Sequence, residues 1–309
     1  MKLGIVGLGK MGNAIAQRVI NGGYEVVGFD VDQESLKKFE KIGAETATDL
    51  SDLAERADVI WIMVPAGKPV DLVIKKLLPH LQDGNILIDG GNSNFKDSQR
   101  RALELKKHGI YFIDCGTSGG LRGREIGFCL MVGGDEDVYL RILPILEVIG
   151  AKGGVGYMGA SGAGHYVKMI HNAIEYGLLQ AYSEGLHLLK EGACENLDLE
   201  KITKIWLHGS IIRSFILELA HEIYEEKKDF SKISGEIGGG ETGRWAVQEA
   251  KEQGVPLRVI EESLNIRKLS GQTGGNYATK LVAILRNKFG GHSINPSSLK
   301  FRRTRKKNL

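Results

Sequence analysis

Near the middle of the chain, the stretch from Gly164 to Tyr176 gathers side chains that can move protons. At about 100° per residue, Lys168, His171, Asn172, Glu175 and Tyr176 fall within one helical arc of roughly 140°. One face then carries an amine, an imidazole, an amide, a carboxylate and a phenol. Glu175 follows Lys168 by two turns, roughly 10 Å along the axis, so the pair can work at opposite ends of a small substrate. Val167, Met169, Ile170, Ala173 and Ile174 lie on the other faces and suit burial. The periodicity predicts a helix to about Lys190, preceded by a change of direction at Gly162 and Gly164. A helix this apolar is a poor surface helix, so the polar arc is expected to line a cleft. The competing reading is a half-exposed helix with an ordinary polar stripe.

The first half of the chain must position that helix against something, and its pattern names a dinucleotide. A strand over residues 2–6 runs into Gly7-Leu8-Gly9-Lys10-Met11-Gly12, then a helix from about Met11 to Asn21 and a strand over residues 25–30. Gly7 permits the tight turn, Gly9 lets backbone approach a pyrophosphate, and Gly12 lets helix and strand pack closely. The helix N-terminus offers free N–H groups and partial positive charge to phosphates. Asp30 stands at the acidic position expected about 20 residues on. Its carboxylate can accept from ribose hydroxyls and would repel a 2′-phosphate, which favours NAD over NADP. The plainer role is a cap for the following turn.

Further strands are expected at 58–64, 85–89, 111–115 and 130–134. The second ends in Gly90-Gly91-Asn92-Ser93-Asn94 and the third in Gly116-Thr117-Ser118-Gly119-Gly120. Ligands of open α/β sheets bind outside the carboxyl ends of strands. Asn92, Ser118, Gly119 and Gly120 are therefore candidate substrate or nicotinamide contacts; ordinary turns capped by Asn and Ser are the alternative. After about Gly159 the strand signals stop. Helices are expected from Leu199 to about Ile223, Thr242 to Gln253, Pro256 to about Lys268 and Asn276 to Phe289.

The 309 residues suffice for one large or two modest domains. The three cysteines, Cys115, Cys129 and Cys194, have neither pair nor metal spacing, which fits a reduced cytoplasm and no metal site. No signal peptide is legible, and no apolar run approaches the roughly 20 residues that span a bilayer. The net charge of +3 owes much to the tail, with Lys300, Arg302, Arg303, Arg305, Lys306 and Lys307. A solvated terminus is favoured there over a nucleic-acid arm.

The run Lys168-Met169-Ile170-His171-Asn172-x-x-Glu175-Tyr176-Gly177 resembles the catalytic helix of the 6-phosphogluconate dehydrogenases. The resemblance extends to about His292, and the length resembles the short form of that family. It implies an α/β Rossmann-type N-terminal domain (residues 1–160) and an all-α substrate and oligomerisation domain (residues 161–309). It also implies oxidative decarboxylation of 6-phospho-D-gluconate to D-ribulose 5-phosphate, CO2 and NAD(P)H, with Lys168 as general base and Glu175 as general acid. Lys168 must start neutral, below its reference pKa near 10.4. Val64, Pro65 and Ala66 match the loop beside the nicotinamide. Asn92, Ser118, Gly119, Gly120, His171, Asn172 and Tyr176 match substrate contacts. Arg267, Arg286 and His292 match residues at the phosphate end, the last two contributed by a neighbouring subunit in a homodimer or homotetramer.

Two departures stand out. Long-form relatives usually carry Asn-Arg where this chain has Asp30-Val31, which points to NAD. They also carry a lysine where this chain has Gly240, two residues before Thr242-Gly243-Arg244-Trp245. Either phosphate affinity falls, or Arg244 or another cation compensates. A non-decarboxylating β-hydroxyacid dehydrogenase acting on a short acid is the alternative. It would not need Arg267, Arg286 and His292.

Overall fold

The computed structural model describes residues 2–294, so the basic tail lies outside the described residues. Contacts divide the chain into two units, residues 1–172 and 173–309.

The first unit alternates strands and helices: β1 (Leu3–Val6), α1 (Lys10–Asn21), β2 (Val26–Phe29), α2 (Gln33–Glu40), β3 (Glu45–Thr46), α3 (Leu50–Arg56), β4 (Val59–Ile62), α4 (Lys68–Leu77), β5 (Ile86–Asp89), α5 (Phe95–Lys106), β6 (Tyr111–Ser118), α6 (Gly123–Ile126), β7 (Phe128–Gly133), α7 (Glu136–Ile149) and β8 (Gly150–Gly159). They form one eight-stranded sheet in the order β3-β2-β1-β4-β5-β6-β7-β8. All neighbours are parallel except β6 and β7. Leu3 of β1 is in register with Val26 on one side and Val59 on the other. The order therefore reverses at β1, which opens a crevice beyond the carboxyl ends of β1 and β4. The strands are continuous apolar runs because both faces are covered. Ile5, Trp61, Ile88 and Ile113 pack against Ile15 of α1 and Ile142 of α7 on one face. Val6, Ile60, Ile62 and Leu87 pack against Leu53, Ile74 and Leu105 on the other.

Helix α8 (Ala163–Glu191) starts in the first unit and ends in the second. It is followed by α9 (Leu199–Trp206), α10 (Phe215–Glu225), α11 (Glu241–Glu252), α12 (Arg258–Thr273) and α13 (Tyr277–Gly290). The core of the second unit joins Leu179 and Leu186 of α8, Leu219 and Ile223 of α10, and Leu281, Ile284 and Leu285 of α13.

Several expectations are corrected. Residues 150–159 form a strand on β7, although five glycines weaken its local signal. Helix 199–223 is two helices: the chain breaks after Trp206, and the Ser214 side chain caps α10 by accepting from the Leu217 N–H (3.1 Å). β6 continues through Gly116, Thr117 and Ser118, which pair with β7 and are not loop. Ile174, expected to be buried, is 53% exposed. Among the described residues no helix is long and apolar enough to cross a membrane, and no cluster of three or more His, Cys, Asp or Glu could hold a metal ion.

Candidate active site

The loop after β1 is shaped for close approach. Gly7 has φ +96°, and a Cβ there would lie 2.6 Å from the Met63 carbonyl oxygen, so only glycine fits. A Cβ on Gly12 would overlap the Gly7 carbonyl. Helix α1 begins at Lys10 with Gly9 as its N-cap and no side-chain cap, which leaves its first N–H groups for a ligand. Asp30 closes the loop from β2. Its Oδ2 accepts the Leu8 N–H (2.6 Å) and its Oδ1 accepts the Asp32 N–H (2.9 Å). It is thus a turn cap as well as an acid beside the glycine loop. Loop, acid and uncapped helix fit a dinucleotide.

The loops after β4 and β5 are tied together by one buried arginine. Arg101 of α5 is 2% exposed. It donates to Asp89 (3.1 Å), Ser93 Oγ (3.4 Å), Asp71 (2.8 Å) and the Gly67 carbonyl (3.0 Å). Ser93 and the Gly91 N–H also donate to Asp89. Residues 65–67 and 90–93, which carry Pro65, Ala66 and Asn92, therefore hang on the same guanidinium and carboxylate. Asn92 itself is exposed.

The N-terminal part of α8 is pressed onto β6 and β7. A Cβ on Gly164 would lie 2.5 Å from the Asp114 carbonyl oxygen, one on Gly133 would lie 2.6 Å from the Gly164 nitrogen, and one on Gly116 would overlap the Lys168 side chain. The buried Asp114 carboxylate accepts the N–H groups of Gly162 (2.6 Å) and His165 (2.8 Å), fixing the helix start with a negative charge at its positive end. His165, one turn before Lys168, is held by Ser98 Oγ at 2.7 Å. This docking leaves Lys168 6% exposed, where burial penalises an ammonium. At the end of β6, Ser118 Oγ lies 3.2 Å from His171 Nε2, and His171 Nδ1 lies 3.1 Å from Asn172 Oδ1. Ser118, His171 and Asn172 thus form one chain of polar contacts. Burial, then the nearby Lys168 charge, push His171 below its ordinary pKa, against a smaller pull from Asn172. Gly119 and Gly120 follow at positive φ.

In the second unit, Tyr176 is the hub. Its hydroxyl lies 3.0 Å from Thr242 Oγ1, and the Arg267 guanidinium stacks 3.8 Å from its ring centroid. Gly243 admits the ring, since a Cβ there would lie 2.5 Å from it. Arg267 is 6% exposed and its Nη1 has no hydrogen-bond partner among the described residues. Burial pushes its pKa down; Tyr176 and Glu175 pull up, and Arg286 pushes down. Burial likewise depresses Arg286, against Tyr176 and Glu175. A buried guanidinium with an unmet donor and a half-buried one beside it suit an anion. His292 is exposed and edge-on to Phe289.

Asp114, Arg101 and Thr242 escaped the sequence reading. Asp114 and Arg101 act on residues dozens of positions away, and no local spacing marks that. Thr242 was visible as a helix start and within the run Thr242-Gly243-Arg244-Trp245, but without a role of its own.

Comparison with known proteins covers both units. Residues 2–159 match the family model described as the NAD binding domain of 6-phosphogluconate dehydrogenase, and residues 164–296 match the 6-phosphogluconate dehydrogenase C-terminal domain. The chain is 44% identical to the NAD(+)-dependent, decarboxylating 6-phosphogluconate dehydrogenase of Haloferax volcanii, over 95% of this chain and 98% of that protein. It is 38% identical to the decarboxylating 6-phosphogluconate dehydrogenase of Lactococcus lactis, over 86% of this chain and 61% of the relative. Among solved structures, 6-phosphogluconate dehydrogenase of Plasmodium falciparum superposes with a TM-score of 0.79 at 28% identity, covering 87% of this chain and 62% of that one. A 3-hydroxyisobutyrate dehydrogenase of Salmonella typhimurium gives 0.77 at 20% identity, covering 92% and 99%, a likeness of fold.

Proposed function

The chain belongs to the 6-phosphogluconate dehydrogenase family, and on that premise we propose that it oxidises and decarboxylates 6-phospho-D-gluconate to D-ribulose 5-phosphate and CO2 with NAD. The observation that carries this reading is the contrast along α8. Buried Lys168 stands at one end of the polar arc, and two turns on, Glu175 and Tyr176 stand beside buried Arg267 and half-buried Arg286. An amine base at one end and a dianion receptor at the other suit a hydroxy acid with a terminal phosphate. A short hydroxy acid would leave the unmet donor of Arg267 without an acceptor.

NAD, when bound, accepts a hydride. Neutral Lys168 takes the proton of the C3 hydroxyl as C3 is oxidised to a ketone. The β-keto acid then loses C1 as CO2. Protonated Lys168 donates to the C3 oxygen and stabilises the negative charge that grows there. Glu175 delivers a proton to the carbon that becomes C1 of the product. Ser118, His171 and Asn172 hold the substrate around C3. Tyr176, Arg267 and Arg286 hold the phosphate, with Arg guanidiniums donating paired hydrogen bonds. Asp30 repels a 2′-phosphate, so NAD is preferred. The cytoplasm and a homodimer or homotetramer complete the reading.

Initial rates with 6-phosphogluconate, run with NAD and with NADP while CO2 is trapped, test it. NAD-linked reduction with equimolar CO2 is expected. Reduction without CO2 would move the assignment to a non-decarboxylating dehydrogenase.

A further inference from the structure

We infer that Arg244 is a substrate-specificity residue, a third guanidinium that closes on the phosphate group in the space opened by Gly240. The inference deepens the proposed function and rests on it for the identity of the anion.

Gly240 is buried, has φ +111° and is the N-cap of α11. A residue with a side chain is strained in that conformation. Glycine therefore leaves the helix start without a side-chain cap, and the first N–H groups of a 12-residue helix stay open. Arg244, one turn on, fills the direction a side chain would have taken. Its Nη1 lies 3.3 Å from the position of a Gly240 Cβ, and Arg267 Cδ lies 3.6 Å from the same point. Next to it, Arg286 Nη2 lies 3.1 Å from the position of a Gly239 Cβ. The guanidiniums of Arg244 and Arg286 and the stem of Arg267 thus meet at two adjacent glycines.

A cavity of about 570 Å³ opens there, lined by Gly239, Arg244, Arg267 and Lys268 among others. Its one carboxylate, Glu261, already faces Lys251 at 3.5 Å. The charge of Arg244 and Arg267 is not cancelled from that wall, and the buried Arg267 Nη1 has no hydrogen-bond partner among the described residues. Open helix N–H groups, an unpartnered buried guanidinium and a second, exposed one are the donor set for a phosphate dianion. Arg244 differs from Arg267 and Arg286 in being exposed. It can approach an anion after entry, while Arg267 and Arg286 wait in place.

The test is the full-length Arg244→Gln variant against wild type, read by calorimetric titration with inorganic phosphate and separately with NAD. Phosphate affinity should fall about tenfold or more, with NAD affinity unchanged, and Arg244→Lys should recover part of the loss. In kinetics, KM for 6-phosphogluconate should rise while kcat holds. Equal phosphate affinity in wild type and Arg244→Gln overturns the inference. Normal phosphate binding, lost in the variant but with no turnover of 6-phosphogluconate by wild type, would leave Arg244 in its role and sink the proposed reaction instead.

Discussion

Lys168 and His171 stand one turn apart on α8, and the lysine acts on the imidazole's charge state. His171 is kept neutral by burial and by Lys168. In the unfolded chain the imidazole takes a proton near its ordinary value of about 6.5. Below that value the unfolded state binds more protons than the folded one, so stability is present above about pH 6.5 and is lost as pH falls through the depressed folded pKa. His171→Asn should flatten that acid-side loss, measured as the difference in urea midpoint between about pH 7 and about pH 5; an unchanged difference would exclude His171 as its source. Lys168→Met keeps the length and apolar stem of the side chain but removes the base. Turnover should fall by about 10²–10⁴, with NAD affinity intact by fluorescence titration. These residues were legible because five chemically active types recur at helical spacing. Arg267 and Arg286 were legible only through family resemblance, since lone arginines in helices carry no signal of burial. Asp114 was illegible for a different reason: an acid after three apolar residues of a strand announces no helix to cap, and its partners come 48 and 51 positions later.

At the scale of elements, the decisive contacts are those that hold α8 and the cofactor loops to the sheet. Arg101 forms a buried pair with Asp89, and its removal would strand that carboxylate in the core. Arg101→Met should cost about 3–5 kcal/mol in urea unfolding. It should also raise KM for NAD more than it lowers kcat, because residues 65–67 and 90–93 lose their common anchor. A stability loss with KM unchanged would confine Arg101 to the scaffold. Strands β1, β2 and β4 to β7 were readable because strands covered on both faces are long apolar runs; the two-residue β3, polar and unburied, was not. β8 was not, because its glycines carry little strand propensity and the strand exists by pairing with β7. The start of α8 was marked by Gly162 and Gly164, yet their purpose, letting Lys168 lie against Gly116, emerges only when the helix is placed on β6.

At the scale of the whole molecule, the question is how a chain spanning 61% of its Lactococcus lactis relative completes a site. The resemblance assigns Arg286 to a neighbouring subunit. Here Arg286 interacts with Glu175 and Tyr176 of its own chain and reaches Gly239. Within one chain, then, the Glu175 charge already acts on Arg286. The consequence can be tested by mixing two inactive variants, Lys168→Met and Arg286→Ala, under conditions that exchange subunits. If Arg286 serves its own chain, every site in a mixed oligomer lacks one group or the other, and turnover stays at the level of the separate variants. If it serves a neighbour, a mixed dimer holds one site with both groups intact and one with neither, and activity returns. The intrachain contacts predict no recovery, and activity regained on mixing would assign Arg286 to the partner's site.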